Sequence, residues 1–233
     1  ELGTPVLLEF EQSSNPKIRQ LVVELACLVL CEQHCRLFLR RLSDSEQETH
    51  DFAAAQVSRC HYRSLVPDLI RAGNAHTEPA ERGPIARALG QSGTPAEIPV
   101  LKQWRSESHS GQEVHDIDLA LARLGDAPAR AQLARDLREG SAWTRVDALR
   151  DCLYIADPSL VREFGPALKD RTDVMALSIP ENPPILYARV ADIATSTMLQ
   201  LGIRLSFSMD PLRRLDETQL EEAEKYVARM QEK

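Results

Sequence analysis

The chain is 233 residues long, with 43% hydrophobic residues, 27% charged residues and a formal net charge of −7. This composition is typical of a soluble globular protein and excludes an intrinsically disordered chain. The negative charge argues against a protein that coats nucleic acid, which needs a basic surface. The longest apolar run, Leu25 to Leu30, is too short to span a bilayer.

Helical periodicity recurs along the chain as pairs of short helices. The first helices of the pairs are predicted over 17–30, 45–60, 79–91, 111–124, 142–154 and 187–201. The second helices are predicted over 32–42, 64–73, 95–106, 127–138 and 158–169.

Several of these helices begin with a capping residue followed by proline. Asn15-Pro16, Thr94-Pro95 and Asp157-Pro158 have this pattern, in which the side chain accepts from a free backbone amide and proline fixes φ. The turn prolines Pro95, Pro128 and Pro158 are 33 and 30 residues apart. A unit that recurs with this period predicts a solenoid, because one helix pair cannot bury its own apolar face.

The sequence around these turns resembles HEAT repeats. The resemblance is carried by the segments 85–90 with 94–95, 145–149 with 155–158, and 189–194. It implies an all-α fold, a right-handed α-α superhelix of about six helix pairs, in a single domain over 1–233 with repeats over about 15–202. Most HEAT arrays bind other proteins along the concave face that their second helices line.

Two segments depart from the repeat. The prolines of Pro180–Pro184 interrupt helical periodicity, so we predict an inserted loop over 172–186. A loop of this kind carries function about as often as it is a plain surface detour. The amphipathic segment 216–231 is expected to form a helix that caps the end of the stack.

Charge is distributed unevenly between the two sets of helices. The second helices contain eleven Lys or Arg and five Asp or Glu, whereas the first helices contain nine and eleven. A chain that is acidic overall is therefore expected to present a basic inner face, with a tryptophan available for stacking. The predicted binding residues are Arg36, Arg40, Lys102, Trp104, Arg105, Arg130, Arg135, Arg138 and Arg162.

These features predict a non-enzymatic scaffold, adaptor or immunity-type inhibitor that recognises an acidic surface of another protein, without a cofactor. The alternative is an enzyme that uses the same groove. HEAT-like DNA glycosylases act on nucleic acid, and HEAT-like lyases act on bilin chromophores. HEAT-like hydroxylases bind iron through His-Glu dipeptides, and no histidine of this sequence is followed by glutamate.

The cysteines allow two interpretations. Cys27, Cys31 and Cys35 are spaced four apart, and we predict that they lie on one helix as reduced core residues, which favours the cytoplasm. Together with His34 and with Cys60-His61, they also supply enough ligand types for zinc, although buried cysteine without a metal is the more common case. Because the sequence begins at Glu1, a processed extracytoplasmic form stays open.

Overall fold

A computed structural model describes residues 4–76, 78–176, 187–210 and 214–232. Within these ranges the ordered structure is almost entirely helical, which confirms the prediction of an all-α fold. No helix in this part of the chain is both long enough and apolar enough to cross a membrane. The chain divides into two compact units, Glu1–Asp126 (unit 1) and Ala127–Lys233 (unit 2).

Unit 1 is built from helices that contact in two alternating rows. The helices are α1 (Thr4–Phe10), α2 (Pro16–Ala26), α3 (Glu32–Arg41), α4 (Gln47–Val57), α5 (Val66–Ala75), α6 (Pro79–Ser92), α7 (Ile98–Glu107) and α8 (Gly111–Arg123). One row is α2, α4, α6 and α8, each in contact with the next, and α1, α3 and α5 form the other row. The 3₁₀ turn Arg63–Leu65 precedes α5, and the 3₁₀ turn Pro95–Glu97 precedes α7.

The capping signals in the sequence act as predicted. The Oδ1 atom of Asn15 accepts from the backbone N–H of Lys17 at 3.1 Å, one residue after the proline at the start of α2. Thr94 and Glu97 form a reciprocal capping box ahead of α7. In unit 2, Asp157 accepts from the backbone N–H of Ser159 at 2.9 Å.

Helix α2 ends earlier than predicted, at Ala26 instead of Leu30. The carbonyls of the following turn find side-chain partners, because the hydroxyl of Tyr62 donates to Leu30 at 3.2 Å and Nδ1 of His34 lies 2.6 Å from the carbonyl of Val29. Cys27 therefore follows α2 and Cys31 precedes α3, so the prediction that Cys27, Cys31 and Cys35 lie on one helix is wrong.

The described part of unit 2 contains four longer helices, one short helix and a small sheet. The elements are α9 (Ala127–Glu139), α10 (Ala142–Ile155), α11 (Gly165–Lys169), β1 (Asp173–Ala176), β2 (Tyr187–Arg189), α12 (Val190–Gln200) and α13 (Glu217–Gln231). Helix α10 contacts α12, and α13 contacts α11 and α12 and buries Leu220, Ala223 and Val227. A 3₁₀ segment, Pro158–Glu163, leads into α11.

The two strands are a departure from the sequence prediction. β1 lies where a loop was predicted, and β2 lies where a helix was predicted to begin. The strands pair antiparallel, with Met175 opposite Ala188 and Ala176 opposite Tyr187. The predicted loop tip, Pro180–Pro184, lies outside the described residues.

First-helix arginines form a recurring link along the chain. Arg19 binds Asp44 at 2.8 Å, Arg82 binds Glu107 at 3.0 Å and Arg145 binds Asp170 at 2.8 Å, each pair 25 residues apart. In each case an arginine near the start of a helix reaches an acid at or just beyond the end of a later helix. The same contact therefore recurs in both units.

Candidate functional site

Two of the predicted binding residues, Arg36 and Arg40, line a cavity between the second helices α3 and α5. The cavity has a volume of about 340 Å³ and lies within unit 1. We call it the α3–α5 cavity; its lining residues are Arg36, Leu39, Arg40, Asp68, Arg71, Ala72, Ala75 and His76.

Helical spacing explains how these residues converge. Residues 36, 39 and 40 share one face of α3, and residues 68, 71, 72 and 75 share one face of α5. Leu39, Ala72 and Ala75 supply apolar surface to the cavity, and charged side chains surround it. The small alanines leave open the space that larger side chains would fill.

Arg40 is held by a buried carboxylate from the first helix region. Its Nε and Nη2 atoms bind the two oxygens of Glu11 at 2.5 Å and 2.8 Å, the two-point geometry that guanidinium and carboxylate groups favour. Burial alone would raise the pKa of Glu11, but the hydrogen bond and charge of Arg40, together with Arg41, lower it below its ordinary value. Glu11 therefore stays ionised and fixes the Arg40 side chain at the cavity.

Asp68 joins the other two arginines of the α3–α5 cavity. It accepts from Arg36, which also binds Glu32 at 3.0 Å, and it accepts from Arg71 at 2.9 Å. Arg71 is the most exposed of the three, with 76% of its side chain accessible. Its guanidinium is therefore the one that an incoming group reaches most easily.

A second cluster lies beside this cavity and shares His76 with it. Nδ1 of His76 lies 3.2 Å from one oxygen of Glu81, and Nε2 of His50 lies 2.6 Å from the other. Asp51 contacts Nδ1 of His50 at 2.8 Å. Burial alone would lower the pKa of His50, but Asp51 and Glu81 more than offset burial and raise it above the ordinary value.

Trp104 does not present a stacking surface, so that prediction is wrong. The side chain is 1% exposed, and its Nε1 donates to Oδ1 of Asn74 at 2.8 Å. Its ring lies over Gly73 on α5, where a Cβ atom would overlap it. The three-residue spacing from Leu101, also buried, is the sequence signal that placed Trp104 on the core side of α7.

The remaining predicted binding residues are engaged with neighbours in their own units. Lys102 binds Asp126 at 2.5 Å and Arg105 binds Asp118 at 2.8 Å, both in unit 1. In unit 2, Arg130 binds Asp157 at 2.8 Å and Arg138 binds Glu163 at 2.7 Å. Arg135 donates to Gln132 at 2.5 Å, and Arg162 donates to the carbonyl of Ser159 at 3.0 Å.

Because of these contacts, the excess of Lys and Arg on the second helices does not amount to an excess of free positive charge. Six of the nine predicted binding residues form ion pairs with acids of the described chain. An arginine that is paired in this way contributes little free positive potential. The sequence-based interpretation counted charges along the second helices and missed Arg71, His76 and the apolar residues of the α3–α5 cavity.

The cysteines also differ from the prediction. Cys35 and Cys60 are both fully buried and form a disulfide with their Cα atoms 5.8 Å apart, so the prediction that Cys35 is a reduced core residue is wrong. The argument for the cytoplasm that depended on reduced cysteines therefore falls. No group of three potential metal ligands occurs among the described residues. Because Cys35 and Cys60 are bonded to each other, neither is available as a zinc ligand.

The chain matches no protein-family model, and no curated protein sequence is significantly similar to it. The resemblance to HEAT repeats therefore stays a prediction from the residues quoted above.

Proposed function

We propose that the chain is a HEAT-like α-solenoid and serves as a non-enzymatic protein-binding module, with the α3–α5 cavity as its docking site. The alternating helix rows of unit 1 and the recurring arginine–acid pairs, 25 residues apart, support the solenoid. The α3–α5 cavity supports the binding role, and its volume of about 340 Å³ is the observation that carries the proposal.

The surface chemistry of the cavity favours a particular kind of partner segment. An apolar side chain of the partner would cover Leu39, Ala72 and Ala75, and an acidic side chain close to it would bind Arg71. Interfaces commonly combine an apolar centre with arginine at its edge. The partner is therefore expected to offer an acidic segment that contains at least one large apolar residue.

The pairing of the arginines favours protein over nucleic acid as the partner. Duplex DNA binding draws its affinity from many cations that are free to contact phosphates. At the α3–α5 cavity, Arg36, Arg40 and Arg71 each bind an acid of this chain already. A short acidic segment needs only one or two of them to exchange partners.

Site-specific photocrosslinking tests the proposal with a matched control. The photoreactive residue benzoylphenylalanine replaces Ala75 in one variant and Ala55, an exposed alanine on the first helix α4, in the other. Each variant of the 233-residue chain is irradiated in a lysate of the source organism, and crosslinked proteins are identified by mass spectrometry. We expect a defined partner protein from the Ala75 variant and not from the Ala55 variant.

Charge reversal completes the test. Arg71→Glu in the Ala75 variant is expected to lower the yield of that crosslink roughly tenfold, because a rim cation becomes repulsive to an acidic segment. Arg59→Glu, at another exposed position of unit 1, is expected to leave the yield unchanged. The same crosslinked proteins at Ala55 and Ala75, or no effect of Arg71→Glu, would contradict the proposal.

A further inference from the structure

A second cavity, in unit 2, lies between α13 and the segment that precedes it. It also has a volume of about 340 Å³, and we call it the α13 cavity. Glu222, Lys225, Tyr226 and Arg229 line it from one face of α13, as their helical spacing requires. Arg204 and Leu205 line it from the opposite side.

Glu222 fixes the wall of this cavity. Its carboxylate accepts from the backbone N–H of Ser206 at 2.6 Å and also from the Ser206 hydroxyl. These hydrogen bonds lower the pKa of Glu222, so the carboxylate is ionised and holds the 204–206 segment against α13. Glu222 is thus engaged with Ser206 instead of with the cations beside it.

The two arginines of the α13 cavity differ from those of the α3–α5 cavity. Neither Arg204 nor Arg229 forms an ion pair or a side-chain hydrogen bond with any residue in the described ranges. Lys225 has only a solvent-exposed pair with Glu221, at 3.2 Å, and such pairs are weak. The cavity therefore collects two guanidinium groups and an ammonium group whose hydrogen-bonding capacity is still available.

We propose that the α13 cavity binds an organic phosphate monoester. Guanidinium groups bind phosphate oxygens with two parallel hydrogen bonds, and Lys225 adds a further positive charge beside them. The cavity volume of about 340 Å³ is in the range of small-molecule sites, and a phosphate group alone would leave most of it empty. Leu205 and the ring of Tyr226 provide apolar surface for the organic group that the phosphate carries.

The phosphate can belong to an aryl group, such as a phosphorylated tyrosine side chain, or to a free nucleotide. Phenyl phosphate, adenosine 5′-monophosphate and inorganic phosphate distinguish these sources. Binding of each probe to the full 233-residue chain is measured by isothermal titration calorimetry and by the shifts of arginine Nε–H signals in NMR spectra. We expect at least one of the two esters to bind at least roughly fivefold more tightly than inorganic phosphate. This is the gain in affinity expected when the organic group buries about one small apolar contact in the cavity.

Variants of the two arginines locate the site. Arg204→Gln and Arg229→Gln are each expected to weaken binding of the better ester roughly tenfold, the loss typical of a charged hydrogen-bonding partner. Arg150→Gln removes an exposed arginine of α10 in the same unit and is the matched control, with no change expected. Far-UV circular dichroism confirms that each variant keeps its helices.

Three results would overturn the inference. One is that neither ester binds at a concentration of about 10 millimolar, which is weaker than a specific site of this kind would bind. Another is inorganic phosphate binding as tightly as the esters, since the cavity would then not accept the organic group. The third is an unchanged affinity in both Arg204→Gln and Arg229→Gln, because binding would then take place elsewhere.

Discussion

The α3–α5 cavity and the α13 cavity have the same volume and contain similar numbers of cations, yet they differ in what those cations bind. At the α3–α5 cavity each arginine binds a carboxylate of the same chain. At the α13 cavity, Arg204 and Arg229 have no such acid among the described residues, and the nearby Glu222 binds Ser206. The availability of a charge therefore depends on its partners and not on the number of arginines along a helix.

This difference leads to two kinds of binding. Paired arginines favour a partner that binds mainly through apolar contact and whose acidic side chain replaces one of the carboxylates of this chain. Unpaired arginines instead favour a compact, highly charged group. The two cavities belong to different units, so each cavity is tested with variants and controls in its own unit.

The largest expected effect comes from reducing the disulfide in unit 1. Cys35 lies on α3, the helix that forms one wall of the α3–α5 cavity, and is bonded to Cys60. Because the bond closes a loop of 25 residues, reduction should lower the free energy of unfolding of unit 1 by about 3 kcal/mol. Denaturant unfolding, followed by the fluorescence of Trp104 in a Trp143→Phe background, measures this change.

The control is the Cys35→Ala/Cys60→Ala variant, whose unfolding should no longer respond to the reductant. If the reductant also left the unfolding of the parent protein unchanged, the disulfide would not stabilise unit 1.

A smaller effect is expected from Gly73→Ala, which alters the other wall of the α3–α5 cavity. A Cβ atom at this position overlaps the Trp104 ring, so α5 or α7 must shift. Overpacking of this kind should outweigh the better helix propensity of alanine and destabilise unit 1 by about 2 kcal/mol.

Gly111→Ala is the matched control for this substitution, since a Cβ atom there meets no atom within 4 Å. Its free energy of unfolding should stay within about 0.5 kcal/mol of the parent protein. If the two alanine variants had equal stability, the close packing of Trp104 on Gly73 would be wrong.

The smallest effect concerns the histidine cluster beside the α3–α5 cavity. The pKa of His50 is raised in the folded state, so its ion pairs with Glu81 and Asp51 contribute fully below its ordinary pKa of about 6.5. That contribution is lost as the pH rises through the folded pKa. Unit 1 should therefore lose stability as the pH rises above about 6.5 and through the raised pKa of His50.

His50→Gln should flatten this pH dependence, while His109→Gln, at an exposed histidine of the same unit, should keep it. Denaturation midpoints measured across that pH range provide the comparison. An identical slope in the parent protein and in His50→Gln would exclude His50 as its source.

Local signals in the sequence were sufficient to predict most of the helices. Proline, capping residues and apolar spacing act within one or two turns, so the starts of α2, α7 and α9 follow from neighbouring residues. The turn that follows α2 is held by the hydroxyl of Tyr62, which lies 32 residues beyond its acceptor Leu30. The strands β1 and β2 form only by pairing with each other, and neither has a distinct local pattern.

The candidate site was predictable only in part, for the same reason. Helical spacing placed Arg36 and Arg40 on the exposed side of α3, but it could not show that Arg40 binds Glu11, which is 29 residues away. Nor could it show that Trp104 would find space over Gly73, or that Cys35 would meet Cys60. Periodicity identifies the face of a helix, whereas packing decides what that face contacts.

Docking of a partner protein at the α3–α5 cavity should slow backbone amide exchange in the two helices that line the cavity. Hydrogen–deuterium exchange of the 233-residue chain, with and without the partner identified by crosslinking, measures this change. We expect slower exchange in α3 and α5, unchanged exchange in α4, and loss of the protection in Arg71→Glu. Protection confined to other helices, with α3 and α5 unaffected, would show that the partner does not dock at this cavity.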